Sequence, residues 1–94
     1  MWIKFTYQNL RDGRRTSQPV AIEVSDATKA LNVANTLSNV DHVVDVKVVV
    51  TNPSDPMTIC LNEKAQTVRN DHLVSDWDIQ SFIWAIKAGI QLGK

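Results

Sequence analysis

Apolar and polar positions alternate over two early stretches of the chain. Ile3, Phe5 and Tyr7 alternate with Lys4, Thr6 and Gln8, and Val20, Ile22 and Val24 alternate with Ala21 and Glu23. A period of two is that of a half-buried strand. Between the two runs stands Arg11-Asp12-Gly13-Arg14, and Asp-Gly favours a two-residue type I′ hairpin turn. With Asp12 and Gly13 as the loop, Arg11 opposes Arg14, Phe5 opposes Val20 and Ile3 opposes Ile22. Turn chemistry and hydrophobic pattern therefore agree on one register. The outer part of this hairpin, from about Gln8 to Ser17, is nearly all polar and is expected to project beyond the core. Pro19 cannot donate to a ladder, so the second strand is expected at a sheet edge.

Further along, the period changes to that of a helix. Ala27, Ala30, Leu31, Ala34 and Leu37 predict an amphipathic helix over 26–38, with Ser25 as its cap. Val44, Val46, Val48 and Val50, alternating with Asp45 and Lys47, predict a third strand. Asn52-Pro53-Ser54-Asp55-Pro56 reads as a turn, and Met57, Ile59 and Leu61 as a fourth strand. Residues 62–73 suit either a short fifth strand near 65–68 or a short helix.

The last element carries two apolar faces. Ser75 is the expected N-cap, with Asp78 at N3 and Val74 and Ile79 as a hydrophobic staple. Asp76 and Asp78 place negative charge where the helix dipole favours it, and Gly93 suits the C′ position. At about 100° per residue, Ile79, Phe82, Ile83, Ile86 and Ile90 form a core stripe. Trp77 and Trp84 fall nearly opposite, with Ala88 and Leu92 near them and Ser81 and Ala85 alongside. A second apolar face on so short a chain points to a partner, since Trp is enriched where interfaces concentrate their energy.

The expected order is strand, strand, helix, strand, strand, helix. A right-handed crossover through the first helix, with strand 1 between the strands it joins, gives a four-stranded antiparallel sheet of order 2-1-3-4. The expected fold is thus an α+β two-layer sandwich, ββαββα, with both helices on one face and residues 1–94 forming a single domain.

Composition narrows the function classes. Apolar content is 44%, charged content 21% and net charge zero, so no global field draws the chain to nucleic acid or membrane. No run reaches transmembrane length and none resembles a signal peptide, so the expected compartment is the cytoplasm. The lone Cys60 excludes an internal disulfide. Charge is uneven: Lys4, Arg11, Arg14 and Arg15 stand against Asp12 alone in the first twenty residues, and residues 21–63 lean acidic.

Candidate chemistry is sparse. Asp41-His42, Asp71-His72 and Cys60 match no zinc spacing, and capping explains Asp76 and Asp78. No nucleophile elbow or Gly-rich phosphate loop is present. The expectation is a small non-enzymatic protein-interaction module, accessory or inhibitor-like, with no cofactor and no metal. It is expected to be a homodimer through Trp77, Ser81, Trp84, Ala88 and Leu92, with a larger protein as a further partner class. The alternative is a nucleic-acid-binding regulator using Arg11, Arg14 and Arg15. Clustering of these arginines on one loop, without a helix-long basic stripe, favours the protein contact.

Overall fold

The structure, a computed structural model, describes residues 1–11, 13–53, 55–69 and 76–92, with the side chains of Asn9, Arg11, Arg69, Asp76, Trp77, Asp78 and Ser81 outside that description. The element order is β1 (Trp2–Arg11), β2 (Arg14–Glu23), α1 (Ala27–Ser38), β3 (Val43–Val49), β4 (Ile59–Leu61), β5 (Thr67–Arg69) and α2 (Asp76–Leu92). The α+β class is as expected.

The hairpin follows its turn chemistry. Arg11 pairs with Arg14, Phe5 with Val20 and Ile3 with Ile22. Gly13 has φ 74°, a conformation that favours glycine. Asp12 lies outside the described residues.

The sheet differs from the expected one. It is five-stranded and mixed, of order β3-β1-β2-β4-β5, with β4 parallel to β2 instead of antiparallel beside β3. The cause lies in Ile59-Cys60-Leu61, which is buried at all three positions. A strand apolar on both faces belongs inside a covered sheet, and beside β2 the Cys60 side joins Trp2 and Ala21 in a buried cluster. Residues 50–53 and 55–58, with Ser54 of the expected turn outside the described residues, accordingly belong to a crossing connection and not to a hairpin turn. Pro53 is buried on it, and Asp55 and Thr58 line one cleft with Lys4, Thr6, Pro19 and Lys47 on the face away from the helices. This return and the α1 crossover differ in both direction and face, so they share one hand, as parallel crossovers require. Met57, expected inward on the fourth strand, is exposed before β4 begins.

Pro19 therefore lies on an interior strand, contrary to expectation. It is tolerated because β2 is interior only in part. Alternation from the two-residue turn makes Thr6↔Pro19 a non-hydrogen-bonded pair, so the missing N–H points away from β1. On that side β4 joins only at Val20↔Ile59.

β3 carries a second correction. The β1–β3 register shifts between Lys4 and Thr6, and Asp45 sits there with φ 57°, which marks a β-bulge. The bulge breaks the valine alternation. Val43, Val46 and Val48 meet the main core, Val44 pairs with Thr6 toward the other face, and Val50 is exposed.

Both helices pack on one sheet face. The core joins Ile3, Phe5, Tyr7, Val20, Ile22, Ile59 and Leu61 of the sheet to Ala30, Val33 and Leu37 of α1 and Phe82, Ala85 and Ile86 of α2. Phe82 sits edge-on to Phe5 and Tyr7, with centroids 5.4 Å away in each case. Burying such a ring stabilises by roughly 1.5–3 kcal/mol, before about 0.5–1.5 kcal/mol per aromatic pair. A smaller cluster of Trp2, Ala21 and Cys60, with Val49 against it, fills the opposite face. Cys60 does point away from the main core, as its alternation with Ile59 and Leu61 requires, but it is buried.

On α1, Leu31 is 59% exposed and Ala27 is exposed, while Val33 and Thr36 are buried. The buried stripe is rotated because α2 comes close to Val33: a Cβ on Gly89 would lie 2.5 Å from the Val33 Cα. The cap is Asp26 and not Ser25. The Asp26 carboxylate accepts from the Lys29 N–H at 2.8 Å, and the Ser25 N–H donates to the Glu63 carboxylate.

Residues 67–69 resolve to a strand, entered by a turn built on Asn62. Its side-chain oxygen accepts from the N–H groups of Lys64 and Gln66, and Ala65 takes φ 59°. The rest of that ambiguous segment, 70–73, lies outside the described residues, as do the Val74 staple, the Ser75 cap and Gly93. The helix over Asp76–Leu92 agrees with the expected one. Among the described residues no helix is long and apolar enough to cross a membrane.

Candidate interaction surfaces

α2 positions the first surface. Its inner side is fixed by Phe82 and Ile86, which are buried, and by Ile79, Ile83 and Ile90, which are half-buried against the core. The helical period then turns Trp84 outward. Trp84 is 61% exposed, Leu92 is 71% exposed, and Ala88 between them is half-buried. Trp77 and Ser81 belong to the same helix and fall within roughly 80° of the same arc by the helical period; their side chains lie outside the described residues. Ala85 leaves the expected group. It is fully buried, because it stands only about 60° from Phe82 around the axis.

The hairpin arm is the second surface. β3 pairs with β1 no farther out than Tyr7, and β4 pairs with β2 no farther out than Val20. The Gln8 N–H still reaches the His42 carbonyl at 2.7 Å. Beyond that point β1 and β2 continue as a two-stranded ribbon, and Gly13–Gln18 are all exposed. The arm contributes to a long axis of 40 Å against 26 and 22 Å for the other two. The three arginines do not share one face. Arg14 has the parity of Val20 and Ile22 and faces the helix side, whereas Arg15 has the parity of Pro19 and Ala21 and faces the other. Arg11 is the cross-strand partner of Arg14. Leu10 pairs with Arg15 and is 70% exposed.

The remaining candidates do not converge. His42 lies beside Gln8 at the root of the arm, and Cys60 pairs with Ala21 in the sheet and is buried with it and Trp2. Asp71 and His72 lie outside the described residues, as do the side chains of Asp76 and Asp78. Among the described residues, no group of three His, Cys, Asp or Glu side chains is placed to hold a metal ion. A cleft of about 290 Å³ on the sheet face away from the helices mixes Lys4 and Lys47 with Asp45 and Asp55, and another of about 340 Å³ is lined by Glu23, Ser25, Asn62, Glu63, Lys64 and Gln66.

Two features escape the period-based reading. The Gly89–Val33 approach has a sequence signal in Ala85 and Gly89, small residues four apart on the inner face of α2. The second small core has one in the unbroken apolar run Ile59-Cys60-Leu61. Comparison of the chain with protein-family models, with curated proteins and with solved structures gives no match.

Proposed function

We propose that this protein works by binding, as a small non-enzymatic module of accessory or inhibitor type, and that it pairs with a second copy of itself through the outer face of α2. The observation that carries the reading is Trp84, 61% exposed in a helix whose opposite face is committed to the core. Indole rings bury about 150–250 Å² each when covered, and leaving one in water forgoes that gain. A second copy fits this face for three reasons. A two-fold pairing sets the same patch against itself, so each Trp84 has an apolar counterpart. Ala88, with Ser81 on the same arc, is small enough for two helices to approach. A net charge of zero sets up no long-range repulsion between copies.

Dilution tests the reading. Trp2 is buried within the fold, so it reports little on association. Burial of Trp84 at a dimer interface should shift its emission to the blue at high concentration, and dilution should reverse the shift along a single binding curve. An emission maximum that stays constant, with the exposed-indole value, across the micromolar range would rule the pairing out.

A further inference from the structure

We propose that the hairpin arm is a ribbon for the major groove of duplex DNA, a role separate from the pairing through α2 and independent of it. Few apolar contacts are available to hold the arm together. Between Asn9 and Ser17 the only apolar side chain is Leu10, and it is exposed. Arg11 and Arg14 oppose each other across the strands, and like charges in that position destabilise a ladder. A two-stranded hairpin without a buried face is marginal in water. Among the described residues of this segment none is buried, so the core gives no account of its composition.

The composition is one-sided. Asn9–Ser17 holds three arginines and one aspartate, leaving seven basic and nine acidic residues for the rest of the chain. Positive charge is thus concentrated on the one element that projects. Ser17 within it, and Gln8 and Gln18 at its root, are residue types that hydrogen-bond to base edges and phosphates, and the exposed Leu10 can contact a thymine methyl.

The geometry then selects the shape of the partner. Arg14 and Arg15 are adjacent and exposed, so they leave the ribbon on opposite faces. A flat acidic surface would meet one face and strand the other. Two anionic walls with a gap between them satisfy both. The major groove of B-form DNA is such a space, about 12 Å wide and about 8.5 Å deep, and it admits a two-stranded ribbon. Four residues of arm beyond Tyr7, at about 3.4 Å each, reach roughly 14 Å, enough to enter it.

Fluorescence anisotropy with a labelled DNA duplex of about two helical turns tests this, using the full chain. Binding should weaken with salt by a log–log slope of about 0.9 for each phosphate neutralised, so near 2 to 3 for three arginines. Arg14→Ser with Arg15→Ser should lower that slope by roughly two and leave the circular dichroism spectrum unchanged, while Lys64→Ser, exposed away from the arm, should leave binding intact. Duplex RNA should bind more weakly, since its deep, narrow major groove excludes a ribbon. The proposal fails if the wild type does not bind at about 50 mM salt, or if the double variant keeps its slope. It fails equally if single strands or duplex RNA bind as tightly as duplex DNA. Competition by polyglutamate at equal charge would overturn it in favour of an acidic protein partner.

Discussion

The two sides of α2 are built to opposite standards. On the inner side Phe82 and Ile86 are sealed in the core, and Gly89 stands so near Val33 that a methyl group has no room. On the outer side Trp84 and Leu92 lie mostly in water. One helix of 17 residues thus holds both a close-packed interior and an apolar surface that the described residues leave exposed. The contrast separates two uses of apolar residues. The inner set is explained by the fold of the chain, and the outer set is not, because removing it would cost the isolated fold little.

Substitutions on the two sides sharpen that contrast. Phe82→Ala should be the most damaging, since it deletes the ring that Phe5 and Tyr7 both touch. A loss of about 3–5 kcal/mol is expected in urea or thermal unfolding. Gly89→Ala is smaller in atoms but meets backbone, with its Cβ 2.5 Å from the Val33 Cα. Overpacking of this kind should cost about 1–3 kcal/mol. A neutral or stabilising Gly89→Ala in the same assay would mean that α1 and α2 are not so closely set.

The hairpin offers a related contrast, between an inner part that carries the core residues Ile3, Phe5, Tyr7 and Val20 and an outer part beyond Tyr7 that carries none among the described residues. Gly13→Val forces a β-branched residue into φ 74° and should cost about 1–2 kcal/mol. Arg14→Ser with Arg15→Ser should change stability least, within about 0.5 kcal/mol per site, because both residues are exposed. A large fall in Tm for that pair would show that the arm takes part in the fold.

The same contrast explains what the sequence could reveal. The β1–β2 register was legible because two independent constraints, the Asp-Gly turn and the period-two pattern, meet at one alignment. The presence of a helix over 76–92 was legible from its period, and so was the outward aspect of Trp84, once Phe82 and Ile86 were placed inside. The arm's projection followed from its lack of apolar residues, but the division of Arg14 and Arg15 between two faces needed the register.

What could not be read depends on contacts distant in sequence. β4 pairs in parallel with β2, and no local pattern names the partner of a three-residue strand. The valines of β3 alternate cleanly in sequence, yet the Asp45 bulge moves Val44 and Val46 to different faces. On α1, the stripe through Ala30, Leu31 and Leu37 and the stripe through Ala30, Val33 and Leu37 are both helical. Only the approach of Gly89 decides for Val33. Ala85 was misplaced by the same margin, a rotation of a fraction of a turn.

The central claim is that the outer face of α2 is an interface between copies. Its most direct test is the solution mass of the wild type and of Trp84→Glu, measured by light scattering at micromolar concentration. The wild type should show twice the 10.5 kDa of one chain, and Trp84→Glu should be a folded monomer with an unchanged circular dichroism spectrum. A wild type that is monomeric throughout, or a Trp84→Glu variant that remains dimeric, would contradict it.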